Sequence, residues 1–428
     1  MASWRMTHRR PSLSPLKLKR RSPASCVVKS VLATALLLVT LYQLLAMDVI
    51  RLSRTSEVPA SARLWPGPEA AFGAEDRTRM STLGRILLLG EPRPAARGVN
   101  YTVAVWRHGA RLERRLLRSY GSGAARPPLR GCAVQNCRLI YTENSEEAAA
   151  ADAVLFHLQL TSERALPGRR RPQQRWIFLS DESPRHAFLT RNNISHYNGV
   201  FNWSMGYRYD TDVPVPYGRT APGRSETPRP VHTRLAAIMG SNCDGSGRWQ
   251  LVKALQKLIP VDVYGRCGTL KCDGHYNKDC PVLSTYKFYL ALENSHCDGY
   301  ITEKVFWHAL GKGAVPIVWG AKRKDYEMIL PPKSFIFVED FASVAELAAH
   351  LKYLNDTPSA YERYHAWRDS YYVLNEHGYF GSPIHYYCRI CEALNYNSQT
   401  PKTISRMDKF WGVNDHCIVP KKEKYVAR

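Results

Sequence analysis

From Leu235 to Leu354, short apolar runs alternate with stretches of helical length, and no other feature restricts the fold of this chain more. Leu235–Met239 reads as a strand, Arg248–Leu258 as a helix and Val261–Tyr264 as a strand. Phe288–Leu292, Val315–Trp319 and Ser334–Val338 follow as strands, with a helix expected over Tyr300–Leu310. Ser343 is placed to cap a helix running to Leu354, and Glu346 completes a capping box. Strands separated by helices pair in parallel, and such doubly wound sheets bind ligands outside the carboxyl ends of their strands. The preceding half has the same habit in Val103–Trp106, Leu139–Thr142, Ala153–Leu158 and Trp176–Leu179, with helix-compatible stretches such as Arg111–Ser119 between them. The expected fold class is therefore α/β, with two domains facing a cleft. Pro214, Pro216, Pro222, Pro228 and Pro230 fit a linker better than a strand or helix, so the boundary falls at 214–230.

The amino-terminal region has a different character. Ser30–Met47 is uncharged and would span about 27 Å as a helix, close to the thickness of a membrane's hydrocarbon core. Eight Lys and Arg residues precede Asp48, the first acidic residue. A run this long, without a convincing cleavage pattern, reads as a signal anchor over 30–50 with a cytoplasmic tail at 1–29 and a lumenal body. Residues 51–98 read as a spacer or stem, although Arg85–Gly90 also fits a first strand. Cys26 then stays cytosolic, and the other ten of the 11 cysteines permit five disulfides in an oxidising lumen. Asn100, Asn193, Asn202 and Asn355 head glycosylation sequons, Pro358 weakening the last. The net charge of +23 is not gathered in one stripe. In a lumenal body it suits a phosphate-bearing ligand and argues against nucleic acid as a partner.

The chemistry-bearing stretch is Tyr286–Ala321, YKFYLALENSHCDGYITEKVFWHALGKGAVPIVWGA. A strand delivers Glu293 and Asn294 to a polar loop, and a helix start carries Glu303 and Lys304, where an anion is favoured. SNCDGSG, after an earlier strand, leads to Arg248, whose planar fork can reach a pyrophosphate. It is neither a Walker A loop nor G-x-G-x-x-G.

ENS followed by DGYITEK, AVPIVWGA and SFIFVEDF resembles the donor-binding signature of the α1,3/4-fucosyltransferases, glycosyltransferase family 10. The resemblance, to an invertebrate-like or Lewis-type member, extends through SNCDGSGR, VDVYG, FNWSMGYRYDTDVPVPYG, FLSDESP and ADAVLFH and covers roughly residues 100–395. It implies a GT-B fold of two Rossmann-like domains: an acceptor-binding domain at 99–213, a GDP-fucose-binding domain at 231–395, and a tail at 396–428. By the same resemblance Arg248 and Lys304 meet the GDP phosphates, and Tyr300 and Glu303 lie near the ribose and donor sugar. Tyr264, Lys287 and Asn294 also belong to the donor site, and Glu182 is the general base. Asp181 adjoins it, and the residues alone do not choose between the two carboxylates. Gly299 and Leu292 depart from the family's usual acidic or polar residue and Phe.

The implied reaction is inverting transfer of L-fucose from GDP-fucose to a GlcNAc-containing glycan at the Golgi membrane. It requires no cofactor or resident metal, although Mn²⁺ stimulation is allowed, and Asp210-Thr211-Asp212 is a weak D-x-D match. Cys388-x-x-Cys391 is expected in disulfides, with Cys132 or Cys137 as partners. A transferase using another nucleotide sugar and a silent glycan-binding protein are the competing readings. LacNAc, LacdiNAc and the N-glycan core stay open as acceptors, as does α1,4 activity.

Overall fold

The structure, a computed structural model, describes residues 67–109, 111–112, 129, 131–187, 193–227, 231–243, 247–273, 278–380 and 382–419. The chain divides into two units, Met1–Glu57 and Val58–Arg428, and the described residues all lie in the second. The expected anchor at 30–50 and tail at 1–29 lie outside them. Among the described residues no helix is long and apolar enough to cross a membrane.

Strands β1 (Tyr101–Trp106), β2 (Cys137–Thr142), β3 (Ala153–His157), β4 (Arg175–Ser180), β5 (Trp203–Gly206) and β6 (Val213–Pro214) form one sheet, ordered β2-β1-β3-β4-β5-β6. Every pairing in it is parallel. After β7 (Gly218–Pro222), a second all-parallel sheet is built from β8 (Arg234–Met239), β9 (Val261–Tyr264), β10 (Tyr286–Leu292), β12 (Val315–Trp319) and β13 (Ile336–Phe337). Its order is β13-β12-β10-β8-β9. Side chains alternate across a strand, so the near-continuous apolar runs feed two cores at once. Phe288, Leu290 and Leu292 pack beneath the helices Arg248–Gln256 and Val344–Asp356, whereas Tyr289 and Ala291 join an inner core shared with Val154, Phe156 and Phe178 of the first sheet. Ser343 caps the longer helix, its Oγ accepting from Glu346 N–H at 3.2 Å.

Four expectations are corrected. Thr82–Leu89 is a helix, not a strand beginning at Arg85: Ser81 caps it, Gly90 ends it in the left-handed region at φ +72°, and Leu83, Ile86 and Leu87 are buried at helical spacing. Part of the expected stem therefore packs into the body. The proline-rich span is not all linker, because β7 pairs antiparallel with β14 (Tyr371–Asn375). Pro214 lies in the edge strand β6 and Pro222 ends β7, positions where a missing N–H is tolerated. The helix expected over Tyr300–Leu310 shrinks to Glu303–Phe306, with Trp307 and His308 both donating to the Glu303 carbonyl at 2.8 and 2.9 Å.

The fourth concerns the carboxyl end. Helix Tyr386–Tyr396, expected within the second domain, packs on the first sheet against Val103, Leu155 and Leu179. Residues beyond it are no loose tail: Met407 and Trp411 are fully buried, and β15 (Cys417–Ile418) pairs with β11 (His296–Cys297). Five disulfides use all ten described cysteines: Cys132–Cys388, Cys137–Cys391, Cys243–Cys267, Cys272–Cys280 and Cys297–Cys417. The expected involvement of Cys132, Cys137, Cys388 and Cys391 is met.

The first two bridges interlace, closing sequence separations of 256 and 254 residues. Once one has formed, the other closes only a small ring. In the chain-entropy picture, removing either should cost about 2–3 kcal/mol and removing both roughly 8 kcal/mol. Urea unfolding of Cys132→Ser/Cys388→Ser, of Cys137→Ser/Cys391→Ser and of the quadruple variant measures this; additive losses contradict it.

Candidate functional site

In the second sheet the strand order reverses between β8 and β10, and a crevice opens where neighbouring connections diverge. A cavity of about 320 Å³ lies there, lined by Gly240, Ser241 and Asn242 after β8, Asn294 after β10, and Arg248, Glu303 and Lys304. Lys271 and Lys278 add cationic charge to its wall. Buried Arg248 stands at its helix start and donates to the Asn242 carbonyl at 2.5 Å and more weakly to that of Leu292 at 3.5 Å. The guanidinium thus ties the loop after β8 to the carboxyl end of β10, the two strands flanking the switch point.

One buried carboxylate orders the opposite wall. Glu293 Oε1 accepts from the Thr302 N–H at 2.8 Å and the Thr302 hydroxyl at 2.9 Å, and Oε2 meets Lys304 Nζ at 2.9 Å. Lys304 also reaches Thr302 Oγ1 at 2.7 Å and Glu303 Oε1 at 3.1 Å. Burial raises the Glu293 pKa, and Lys304 and Thr302 oppose that rise. Burial would likewise raise Glu303, but Lys304, His377 and His308 outweigh it and bring the group down to about 2. Lys304 is held above the ordinary lysine value, its desolvation overcome by the two glutamates.

Glu182 enters from the first sheet, two residues past β4. Burial first, and then Asp181, push its carboxyl up to about 7, against the Tyr300 hydrogen bond and the Lys304 charge. Tyr300 OH donates to Glu182 Oε2 at 2.9 Å across the cleft, and Ser295 Oγ donates to Ser183 Oγ at 2.7 Å beside it. A group balanced between charged and neutral near neutral pH has the protonation behaviour of a general base.

Of the expected donor residues, Arg248, Asn294, Glu303 and Lys304 meet at the cavity. Tyr300 lies beside them but turns its phenol to Glu182. Tyr264 is only 4% exposed, and its hydroxyl pairs with Tyr286 OH at 2.9 Å, in the core. Lys287 is misplaced by the resemblance. It lies at the amino end of β10, far along the strand from Asn294, bonding the Asn355 carbonyl at 3.1 Å with Tyr361 beneath it. Asp210 is engaged by Arg79 and Arg208, and Asp212 by Ser204 and Lys402. Among the described residues, no three His, Cys, Asp or Glu cluster as metal ligands.

Asn202 is corrected as a glycosylation site: it is 4% exposed, accepts from Trp176 N–H at 2.8 Å and donates to the Lys402 carbonyl at 2.8 Å. Asn100, Asn193 and Asn355 are exposed. Gly299, one of the departures from the family pattern, has φ +66° and donates its N–H to Asp325 at 2.9 Å, a left-handed position that favours glycine.

Residue-by-residue reading missed His308 and Phe380 on the cavity wall, with ring centroids 4.4 Å apart. Burial pushes His308 down to about 4, so it is neutral at physiological pH. It also missed Tyr217, which stacks on His377 at 3.8 Å and donates to the Asp181 carbonyl at 2.6 Å. Tyr217 is the last residue but one of the stretch FNWSMGYRYDTDVPVPYG, so its position was marked although its role was not.

Residues 100–218 match the family model "Fucosyltransferase, N-terminal", and residues 230–411 match "Glycosyltransferase family 10 (fucosyltransferase) C-term". Bovine alpha-(1,3)-fucosyltransferase 7 is 42% identical over 247 residues, which cover 56% of this chain and 69% of that protein. Glycoprotein 3-alpha-L-fucosyltransferase A of Drosophila melanogaster is 32% identical over 314 residues, covering 69% of this chain and 58% of that one. A solved structure titled "Crystal Structure of alpha1,3-Fucosyltransferase" shares 18% identity at a TM-score of 0.46, covering 72% of this chain and 95% of that one. On the family matches and the bovine relative, this chain belongs to glycosyltransferase family 10, the fucosyltransferases.

Proposed function

We propose that this protein is an inverting α1,3-fucosyltransferase that moves L-fucose from GDP-fucose to a GlcNAc residue of a glycan. Family membership supports the activity. The observation that carries the mechanism is the pairing of a cation-lined cavity at a switch point with a carboxyl raised to about 7 on the facing sheet. In this reading the two sheets are the halves of a GT-B fold, with the first (99–213) meeting the acceptor and the second (231–395) the donor. Residues 30–50 are the signal anchor of a type II Golgi membrane protein whose body is lumenal, and Asn100, Asn193 and Asn355 carry glycans.

GDP occupies the cavity with its phosphates toward Arg248 and Lys304. Glu182 accepts the proton of the acceptor hydroxyl as that oxygen bonds to C1 of fucose. The bond from C1 to the phosphate oxygen breaks, and the two cations meet the charge growing on GDP. A single displacement inverts the anomeric centre, so a β-linked donor gives an α-fucoside.

Lys304→Ala and Arg248→Ala should each weaken GDP binding about 10–150-fold, the worth of a charge-assisted contact. Lys304→Ala should also lower stability, by about 3–5 kcal/mol, because it leaves Glu293 buried without its cation. Adding Glu293→Gln should recover part of that loss. Calorimetric GDP titration and thermal melts measure both effects, and an unchanged GDP affinity in both variants removes these residues from the donor site.

Glu182→Gln should lose about 10²–10⁴-fold in kcat at saturating acceptor while still binding GDP. In the parent, kcat/KM should fall as pH drops through about 7, because the protonated carboxyl cannot take a proton. Stability has the opposite sign. A carboxyl raised above its unfolded value binds its proton more tightly in the folded state, so stability falls as pH rises from the ordinary carboxylate range to about 7 and then levels. Glu182→Gln should accordingly melt higher than the parent at pH 8, and the gap should close as pH falls below 7. Near-parental turnover of Glu182→Gln, with Asp181→Asn inactive, assigns the base to Asp181.

Activity should survive EDTA, since Asp210 and Asp212 are already engaged by cationic side chains. Turnover without added metal, with modest Mn²⁺ stimulation through screening of released GDP, is the expected pattern. Complete loss in EDTA, restored by Mn²⁺ and absent from Asp210→Asn/Asp212→Asn, contradicts it.

A further inference from the structure

We propose that Tyr300 is the positioning residue of the base: its phenol, carried by the donor-side sheet, orients the Glu182 carboxylate from across the cleft and leaves the second oxygen for the acceptor hydroxyl. This rests on the reading of Glu182 as the base.

Three observations carry it. Tyr300 OH donates to Glu182 Oε2 at 2.9 Å, and a phenol has a single O–H to give. That proton is therefore not available to the nucleotide ribose, near which the resemblance places this tyrosine. Second, the Tyr300 ring has little freedom. It is 2% exposed and held edge-on by Tyr207 and Tyr217, with centroids 5.1 and 6.4 Å away. Third, the Glu182 backbone is pinned on both sides, so only its own side-chain torsions remain to be set. Ser180 Oγ donates to the Glu182 carbonyl at 2.9 Å, and Tyr217 OH donates to the Asp181 carbonyl at 2.6 Å. Ser183 Oγ, one residue on, receives the Ser295 hydroxyl at 2.7 Å.

The charged and titratable groups facing Glu182 are Asp181 on its own segment, Glu303 and Lys304 from the turn after Thr302, and the phenols of Tyr207, Tyr217 and Tyr300. Of these, Tyr300 alone is a side-chain hydrogen-bond donor to the carboxylate. A donor to the charged form lowers a carboxyl pKa, so removing it raises that pKa.

Tyr300→Phe keeps the ring and removes the bond. The acid limb of its kcat/KM profile should move up by about one to two pH units, the effect of one hydrogen bond to a charged group. Affinity for GDP should not change. The carboxyl infrared band of Glu182, identified by its loss in Glu182→Gln, should titrate with the same upward shift in the protein without donor. Fluorotyrosine at position 300, a stronger donor of nearly the same shape, should move the limb down and serves if Tyr300→Phe does not fold. An unmoved limb in Tyr300→Phe, or GDP binding weakened with the limb in place, overturns the inference while leaving Glu182 as base. Full turnover of Glu182→Gln overturns the base reading itself, and this inference with it.

Discussion

The Glu293 carboxylate, buried where β10 ends, organises the cleft. A charge removed from water is tolerated only when its oxygens are filled, and here the Thr302 amide, the Thr302 hydroxyl and the Lys304 ammonium fill them. Those partners come from residues nine and eleven positions further along the chain. Satisfying Glu293 therefore folds the segment 298–304 back over the end of its own strand. That return places Glu303 and Lys304 on the cavity wall and carries Tyr300 to Glu182. The helix there is a single short turn because residues 300–302 are committed to these contacts before helical geometry begins at Glu303.

Segments near both ends of the described residues hold the two sheets together. Helix Tyr386–Tyr396 returns to the first sheet through two interlaced disulfides, and the Asn397 side chain receives the Leu83 N–H at 2.9 Å while donating to the Asp212 carbonyl at 2.8 Å. At the other end Asp76 joins elements from both halves, accepting from Tyr209 OH at 2.9 Å and Lys324 Nζ at 2.7 Å. The cross-cleft bonds from Tyr300 and Ser295 thus act within a frame whose closure is set by covalent and ionic ties remote from the cavity. Groups that act together from different sheets need such a frame, because a displacement of an ångström between reacting groups is costly to the rate.

Strand and helix assignments were legible wherever the apolar period was undisturbed. Val261–Tyr264 and Val315–Trp319 occur as read, and β10 runs only two residues longer. The failures have a common cause. RILLLG is as apolar as a buried strand, and only the Ser81 cap and the docking of Leu83 and Leu87 decide for helix. The prolines looked like a linker because local chemistry does not reveal a distant β14 as partner. Asn202 satisfied a sequon while its amide was committed to the core.

The sequence by itself determined the parallel α/β class, the family, the ten cysteines after residue 50 that are free to pair, and four residues of the cavity wall: Arg248, Asn294, Glu303 and Lys304. These follow from local periodicity and from motifs in which the residues of interest stand close together in the chain. Only the tertiary structure decided that Lys287 sits at the far end of β10 from Asn294, that the Tyr300 hydroxyl meets Glu182, and that helix Tyr386–Tyr396 packs on the first sheet. Each of these depends on contacts between residues tens to hundreds of positions apart. Which partner a buried phenol or amine finds is set by packing that no local pattern encodes.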